Sequence, residues 1–365
     1  MKISIGSKIV QGPWGGGNLF AINISNFLKN KGHEVYYDLS DPNLDLILLT
    51  DPRSRSESSS TFNHIEIERY KKYVNPNVAV VQRINECDER KNTNNINKFY
   101  LEASNVADHV VFVSTWLRNI YVNIGMESSK TSVILAGANS EIFNNEDSIR
   151  WDKNSPIKIV THHWSSHKNK GFDIYQIIDE MITSPEWEDK IEFTYIGNLN
   201  SNYKFNNSNI VQPLAGSALS SELKKHHIYV TASTNEPSGN HHIEAAQCGL
   251  PIIYAESGGI PEYCSEYGIG FTEKFQEKIS QMIEDYDIYF EKLKHYPFNS
   301  EKMCEDFFEI FELLINDKKK NPIQFKKGII GNLFLLQNKV INKIRRNFIS
   351  NIQNILSTFL KRIKK

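Results

Sequence analysis

The sequence predicts an α/β protein: two Rossmann-like doubly wound domains facing a cleft, followed by a basic amphipathic helical tail. Three observations predict it. Short apolar runs alternate with longer helical patterns from Lys2 to about Gly137. After a polar stretch from Asn144 to Pro156 the same rhythm restarts. The 365 residues exceed one small domain and suit two of roughly 150 each. The divisions fall at 1–152 for an N-terminal domain, 153–317 for a C-terminal domain with closing helices, and 318–365 for the tail.

The first domain should carry strands at Lys2–Ile5, Glu34–Tyr37, Leu46–Leu49, Val78–Val81, Val110–Ser114 and Ser132–Leu135. Several are continuous apolar runs, as expected of strands buried on both faces of a parallel sheet. Between the first two, Phe20, Ile24, Phe27 and Leu28 recur at helical spacing, and Gly32 stands where a helix ends in a left-handed residue. The second domain should carry strands at Ile157–Thr161, Glu192–Ile196, Ile228–Thr231 and Ile252–Ala255. Helices from Phe275 to Asp317 have no strand after them and could pack back across the first domain.

A hydrophobic fraction of 40% and a charged fraction of 23% are those of a folded soluble chain. The start, Met1 to Gly6, reads as a first strand and not as a secretory signal, and no run of 18 apolar residues would span a bilayer. Cys87, Cys248, Cys264 and Cys304 lie far apart without a CxxC pair, which fits reduced thiols in cytoplasm. The pairs His162-His163, His226-His227 and His241-His242 lack partners at ligand spacing, so no metal is expected. The net charge of -1 hides an asymmetry: from Lys318 onward there are thirteen Lys or Arg and no Asp or Glu, leaving 1–317 at -14. Such a block asks for an anionic partner.

The most informative stretch runs Thr231-Ala232-Ser233-Thr234-Asn235-Glu236-Pro237-Ser238-Gly239-Asn240-His241-His242-Ile243-Glu244 and closes at Gly249 and Pro251. A strand leads into a turn, and a helix begins near Asn240. Free amides and the positive end of the helix dipole favour an anion there, and Gly239 allows close approach. Two carboxylates bracket that anion site. Since they would repel phosphate, their work is to accept hydrogen bonds from sugar and ribose hydroxyls beside it.

With seven residues between Glu236 and Glu244, the chain resembles the retaining glycosyltransferases of family 4, whose donor motif is E-x7-E on a GT-B fold. Ser257-Gly258-Gly259-Ile260-Pro261-Glu262 is similar to that family's G-G-x-x-E loop, and Ala107–Ser114 and Val133–Asn139 are similar to segments closing its N-terminal domain. The resemblance covers most of residues 1–315. It implies that Glu236 contacts the donor sugar, Glu244 the ribose, and the amides of Gly239, Asn240 and His241 the diphosphate, with Gly258 and Gly259 beside them and no metal or other cofactor. Lys170-Gly171 matches the family's Lys-Gly pair, which implies a lysine on the leaving phosphate. The family's arginine a few residues earlier has no counterpart in Thr161-His162-His163-Trp164-Ser165-Ser166-His167-Lys168; a histidine of that stretch, or Lys168, would substitute, and His163 is a candidate acceptor or cleft residue.

In the first domain, Gly12-Pro13-Trp14-Gly15-Gly16-Gly17-Asn18 is not GxGxxG, so a dinucleotide reading is weak. The resemblance gives Gly16 and Gly17 a place facing the donor phosphates. Arg83, Asn85 and Asp88 follow a strand and would face the cleft, orienting acceptor or donor hydroxyls, with an internal salt bridge the alternative. From Ile341, the residues Ile344, Phe348, Ile352, Ile355, Phe359 and Ile363 fall on one helical stripe opposite Lys339, Lys343, Arg346, Lys361 and Lys364. That pattern suits an anionic membrane surface met by 322–365, or packing on protein, and nucleic acid fits it less well.

The expectation is a metal-independent retaining glycosyltransferase. It would move a sugar from a nucleotide-diphosphate donor to a glycan or lipid-linked acceptor, such as a cell-surface polysaccharide precursor, at the cytoplasmic membrane face. A nucleotide-sugar 2-epimerase and a non-catalytic nucleotide-sugar-binding partner of another transferase are the alternatives. The E-x7-E spacing and the G-G-x-x-E loop favour transfer.

Overall fold

A computed structural model describes residues 1–10, 15–54, 58–341, 343 and 344. The first domain runs β1 (Lys2–Ile5), α1 (Gly16–Asn30), β2 (Glu34–Tyr36), β3 (Leu46–Leu49), α2 (His64–Tyr73) and β4 (Ala79–Ile84). It continues with α3 (Asp88–Lys91), α4 (Ile96–Ala103), β5 (His109–Phe112), α5 (Thr115–Asn123) and β6 (Thr131–Val133). The second runs β7 (Ile157–His163), α6 (Phe172–Met181), β8 (Ile191–Gly197), β9 (Asn209–Val211), α7 (Gly216–Leu223) and β10 (Ile228–Thr231). After these come α8 (Asn240–Gln247), β11 (Ile252–Ala255), α9 (Pro261–Cys264), β12 (Gly268–Phe271), α10 (Phe275–Leu293) and α11 (Ser300–Lys320).

Each domain holds a six-stranded parallel sheet, ordered β2-β1-β3-β4-β5-β6 in the first and β12-β11-β10-β7-β8-β9 in the second. β3 and β4 are buried at every residue, as central strands covered by helices on both faces must be. The ten expected strands all form, within a few residues at their ends. β9 and β12 were not expected. The first is an exposed Asn-Ile-Val edge, and the second contains Gly268 and Gly270; neither shows an apolar run, and only a neighbouring strand makes each of them β.

The closing helices do return. α11 lies on α1, with Phe20 against Phe307 at 5.1 Å between ring centroids and Phe27 against Phe308 at 6.0 Å. Its path is pinned at Gly137, where a Cβ would stand 2.0 Å from the Asn299 carbonyl oxygen. One apolar cluster therefore runs from Ile24 and Leu28 through Phe307 and Phe311 to Ile243 and Ile252, joining both domains.

Beyond α11, residues 329–341 are helical, burying Leu335 near Tyr70 and Val78 while Ile329, Leu333, Leu336, Val340 and Ile344 remain exposed. The apolar stripe from Phe348 to Ile363 lies outside the described residues. Among the described residues no helix is long and apolar enough to cross a membrane.

Candidate active site

In the second sheet the strand order reverses between β7 and β10, which opens a crevice at their carboxyl ends. β7 delivers His162 and His163 to that edge, and a short 3-10 turn, Lys168–Lys170, follows. β10 leads through Asn235 and Glu236 into α8. Two glycines are required on the way. Gly171 has φ +81°, and a Cβ there would stand 2.3 Å from the Ala232 carbonyl oxygen. Gly239, with φ +93°, caps α8, and a Cβ would press on the His241 ring at 2.8 Å and on Glu236 Cγ at 3.1 Å.

Glu236 is the electrostatic centre. Lys170 Nζ donates to its Oε2 at 2.5 Å, and Arg90 Nη2 lies 3.3 Å from its Oε1. Burial pushes this carboxyl up, but Lys170 and then Arg90 overcome it and hold the group down at about 2. Arg90 comes from α3 of the other domain and also pairs with Glu86 at 3.3 Å. The α3 backbone is docked by two asparagines that flank the site: Asn169 Nδ2 donates to the Arg90 carbonyl at 2.7 Å, and Asn235 Nδ2 to the Glu89 carbonyl at 3.2 Å.

Behind Glu236 sits a nest of four imidazoles. His162 Nε2 meets Glu244 Oε2 at 3.0 Å, so that nitrogen carries the proton and aims the carboxylate. His163 Nε2 meets the Tyr175 hydroxyl at 2.7 Å, and His241 Nε2 meets Thr231 Oγ1 at 2.8 Å. Burial pushes His163 and His241 well below the usual histidine range and His242 down to about 3, so all three are neutral. Among the described residues, His162 Nδ1, Ser233 Oγ and both ring nitrogens of His242 are buried without a partner. Buried polar groups are seldom left this way, and a cluster of them beside one helix start marks a place for a polar ligand or water. No group of three His, Cys, Asp or Glu among the described residues is placed to hold a metal ion.

Across the cleft, Gly16 faces the start of α8: a Cβ there would lie 2.7 Å from Asn240 Oδ1, and one at Gly17 would lie 3.9 Å from Asn85 Nδ2. Gly16, Gly17, Asn85 and Asn240 are thus brought together, while Gly12, Pro13 and Trp14 lie outside the described residues. Arg83 is buried with its guanidinium over the Phe20 ring at 4.1 Å, and burial pushes it down to about 10. Asp88 spends its carboxylate on Thr93 Oγ1 at 2.6 Å and on the amides of Ile96 and Asn97, holding the turn after α3. No ion pair joins Arg83 to Asp88 among the described residues.

Gly258 and Gly259 pack behind the Glu236 loop. A Cβ at Gly258 would stand 2.4 Å from the Glu236 carbonyl oxygen, and Gly259 N donates to that oxygen at 2.9 Å. Glu262 crosses to the first domain and accepts from the amides of Thr115 and Trp116 at 2.7 and 2.8 Å, capping α5. Arg90, His162 and the capping role of Glu262 escape sequence reasoning. Arg90 reads there as one charge in Asp-Glu-Arg-Lys, and its single signal is a position six residues past the end of β4.

Residues 189–300 match the model of the family described as glycosyl transferases group 1. No curated protein matches the chain. Solved structures share its fold at low identity. A glycosyltransferase from Rickettsia africae gives a TM-score of 0.63 at 15% identity, covering 87% of this chain and 99% of that one. HepE of Anabaena, solved with UDP, gives 0.63 at 15%, covering 86% and 100%. The lipopolysaccharide outer core galactosyltransferase WaaB gives 0.60 at 11%, covering 86% and 100%. With its two parallel sheets, its cleft and the group 1 segment at 189–300, the chain is a glycosyltransferase of the GT-B fold.

Proposed function

We propose that the chain moves a sugar from a nucleoside diphosphate sugar to a glycan or lipid-linked acceptor, with retention at the anomeric carbon and without a divalent cation. The observation that carries this reading is the Lys170–Glu236 pair set against the start of α8 at the sheet's switch point. The amides of Gly239, Asn240 and His241 receive the diphosphate, Glu236 accepts from donor sugar hydroxyls, and Glu244, aimed by His162, accepts from the ribose. Gly16 and Gly17 close over the diphosphate from the other side. Asn85 is the first acceptor-side candidate.

In the transfer, the bond from the anomeric carbon to the diphosphate oxygen breaks and a bond to the acceptor oxygen forms. The acceptor's hydroxyl proton passes to the departing diphosphate. Negative charge grows on that leaving group, and Lys170 with the α8 dipole stabilises it. Preorganised donors of this kind take the part a cation would otherwise play.

HepE of Anabaena, alike in fold, is solved with UDP-glucose, so uridine is the first base to test. Incubation of the chain with UDP-, GDP-, ADP- and CMP-sugars and a panel of glycan and lipid-linked acceptors should give one product, its anomeric configuration matching the donor by NMR. Turnover should persist in EDTA and drop at least about 100-fold in Glu236→Gln. An inverted product, or activity that EDTA abolishes, would overturn those parts of the reading.

The exposed row Ile329, Leu333, Leu336, Val340 and Ile344, in a segment with no acid from Lys318 onward, supports docking of 322–365 on an anionic membrane at the cytoplasmic face. Flotation with anionic liposomes should carry the full chain, and a chain ending at 321 should stay behind. Equal flotation of both would exclude the tail as anchor.

A further inference from the structure

A diphosphate at the start of α8 would meet two carboxylates, Glu236 and Glu244, and needs more than one cation to outweigh them. Lys170 is one. Lys168, the nearest second cation in the sequence of that loop, is exposed on the turn. We propose that Arg90, carried by the opposite domain, is the second cation on the donor diphosphate, so that cations from both domains hold the donor. This rests on the donor-site reading above.

The geometry supports a hand-over. Arg90 lies on one oxygen of Glu236 while Lys170 holds the other, and Glu236 Cγ abuts Gly239 where α8 begins. The guanidinium sits 3.3 Å from each of its two carboxylates, longer than the roughly 2.7–2.9 Å of a tight charge-assisted bond, and a guanidinium has about five N–H donors to share. When Arg90 turns to an anion, Glu86 keeps Lys91 at 3.3 Å and Glu236 keeps Lys170, so neither buried acid is stranded. The backbone need not move, because Asn169 and Asn235 already fasten α3 to the loops that bear Lys170 and Glu236. Since α3 follows β4 of the first sheet, the guanidinium reaches this place only with the two sheets apposed.

The test is calorimetric titration of the full chain with UDP, UMP, GDP and GMP in wild type, Arg90→Ala, Arg90→Lys and Lys170→Ala, with melting temperatures to confirm folding. Arg90→Ala should weaken the bound diphosphate about 10- to 100-fold and the matching monophosphate less than about 3-fold, with Arg90→Lys recovering part of the loss. If Arg90→Ala keeps diphosphate affinity within about 2-fold while Lys170→Ala loses it, Arg90 is a cleft-closing ion pair and the proposal is wrong. An equal loss for mono- and diphosphate would also overturn it, as a structural role. If wild type binds neither UDP nor GDP at millimolar concentration, the donor-site reading fails with it.

Discussion

Replacing Lys170 by Met strands a buried carboxylate, and the size of that effect can be worked from two directions. At 2.5 Å the pair attracts by about 7 kcal/mol at an effective dielectric of about 20, most of which desolvation takes back. Independently, holding Glu236 at about 2 against an ordinary 4.5 corresponds to about 3 kcal/mol at neutral pH, shared between Lys170 and Arg90. Lys170→Met should therefore cost about 2–4 kcal/mol in urea unfolding at pH 7. Because the folded carboxyl is depressed, its contribution is present above about pH 4.5 and is lost as pH falls toward 2. In Lys170→Met the carboxyl rises again, so the gap between variant and wild type should narrow as pH drops from about 4.5 toward 2. A double-mutant cycle with Glu236→Gln at pH 7 should recover about 2 kcal/mol of coupling. A cost below about 0.5 kcal/mol at pH 7, or zero coupling in the cycle, would refute the reasoning.

Three further outcomes are expected. His163, His241 and His242 are held neutral by burial, so unfolding lets them bind protons; stability falls as pH drops through about 6.5, by about 2 kcal/mol between pH 7.0 and 6.0 for the three together, which denaturation at those two values would read. Gly171→Ala places a Cβ 2.3 Å from the Ala232 carbonyl oxygen at φ +81°, and should cost at least about 2 kcal/mol and depress turnover by shifting Lys170; a variant as stable as wild type would show that the loop relaxes. Glu262→Gln weakens the charged cap on α5 that joins the two domains, and should cost about 1 kcal/mol and raise the amplitude of domain opening seen by small-angle scattering; unchanged scattering would assign that clasp to packing alone.

Glu236 with Glu244, Asp88 and the histidines differ in how far their roles are legible in the sequence. Glu236 and Glu244 stood out because a strand, a glycine turn and a helix start follow one another locally, and such order is written in adjacent residues. Asp88, by contrast, looked available to a ligand, and only the fold brings Thr93, Ile96 and Asn97 onto its oxygens. The pairs His162-His163 and His241-His242 read as scattered. Their gathering needs β7 beside β10 and α8 across both, which no single segment encodes.

The sequence by itself determined the two-sheet plan, the ten apolar strands, the helix that begins at Asn240 and the glycines that permit it, because hydrophobic periodicity and backbone conformational limits act over a few neighbouring residues. Tertiary structure alone decided what surrounds Glu236: the guanidinium of Arg90 from 146 positions earlier in the chain, the imidazole of His162 on Glu244, and the carboxylate of Glu262 on the other domain's α5. It also made strands of Asn209–Val211 and Gly268–Phe271, which have no pattern of their own. The physical reason is the same in each case. A charge, an edge strand or a cap acquires its role from what lies across a gap, and that partner is chosen by the packing of distant elements and not by the residues alongside.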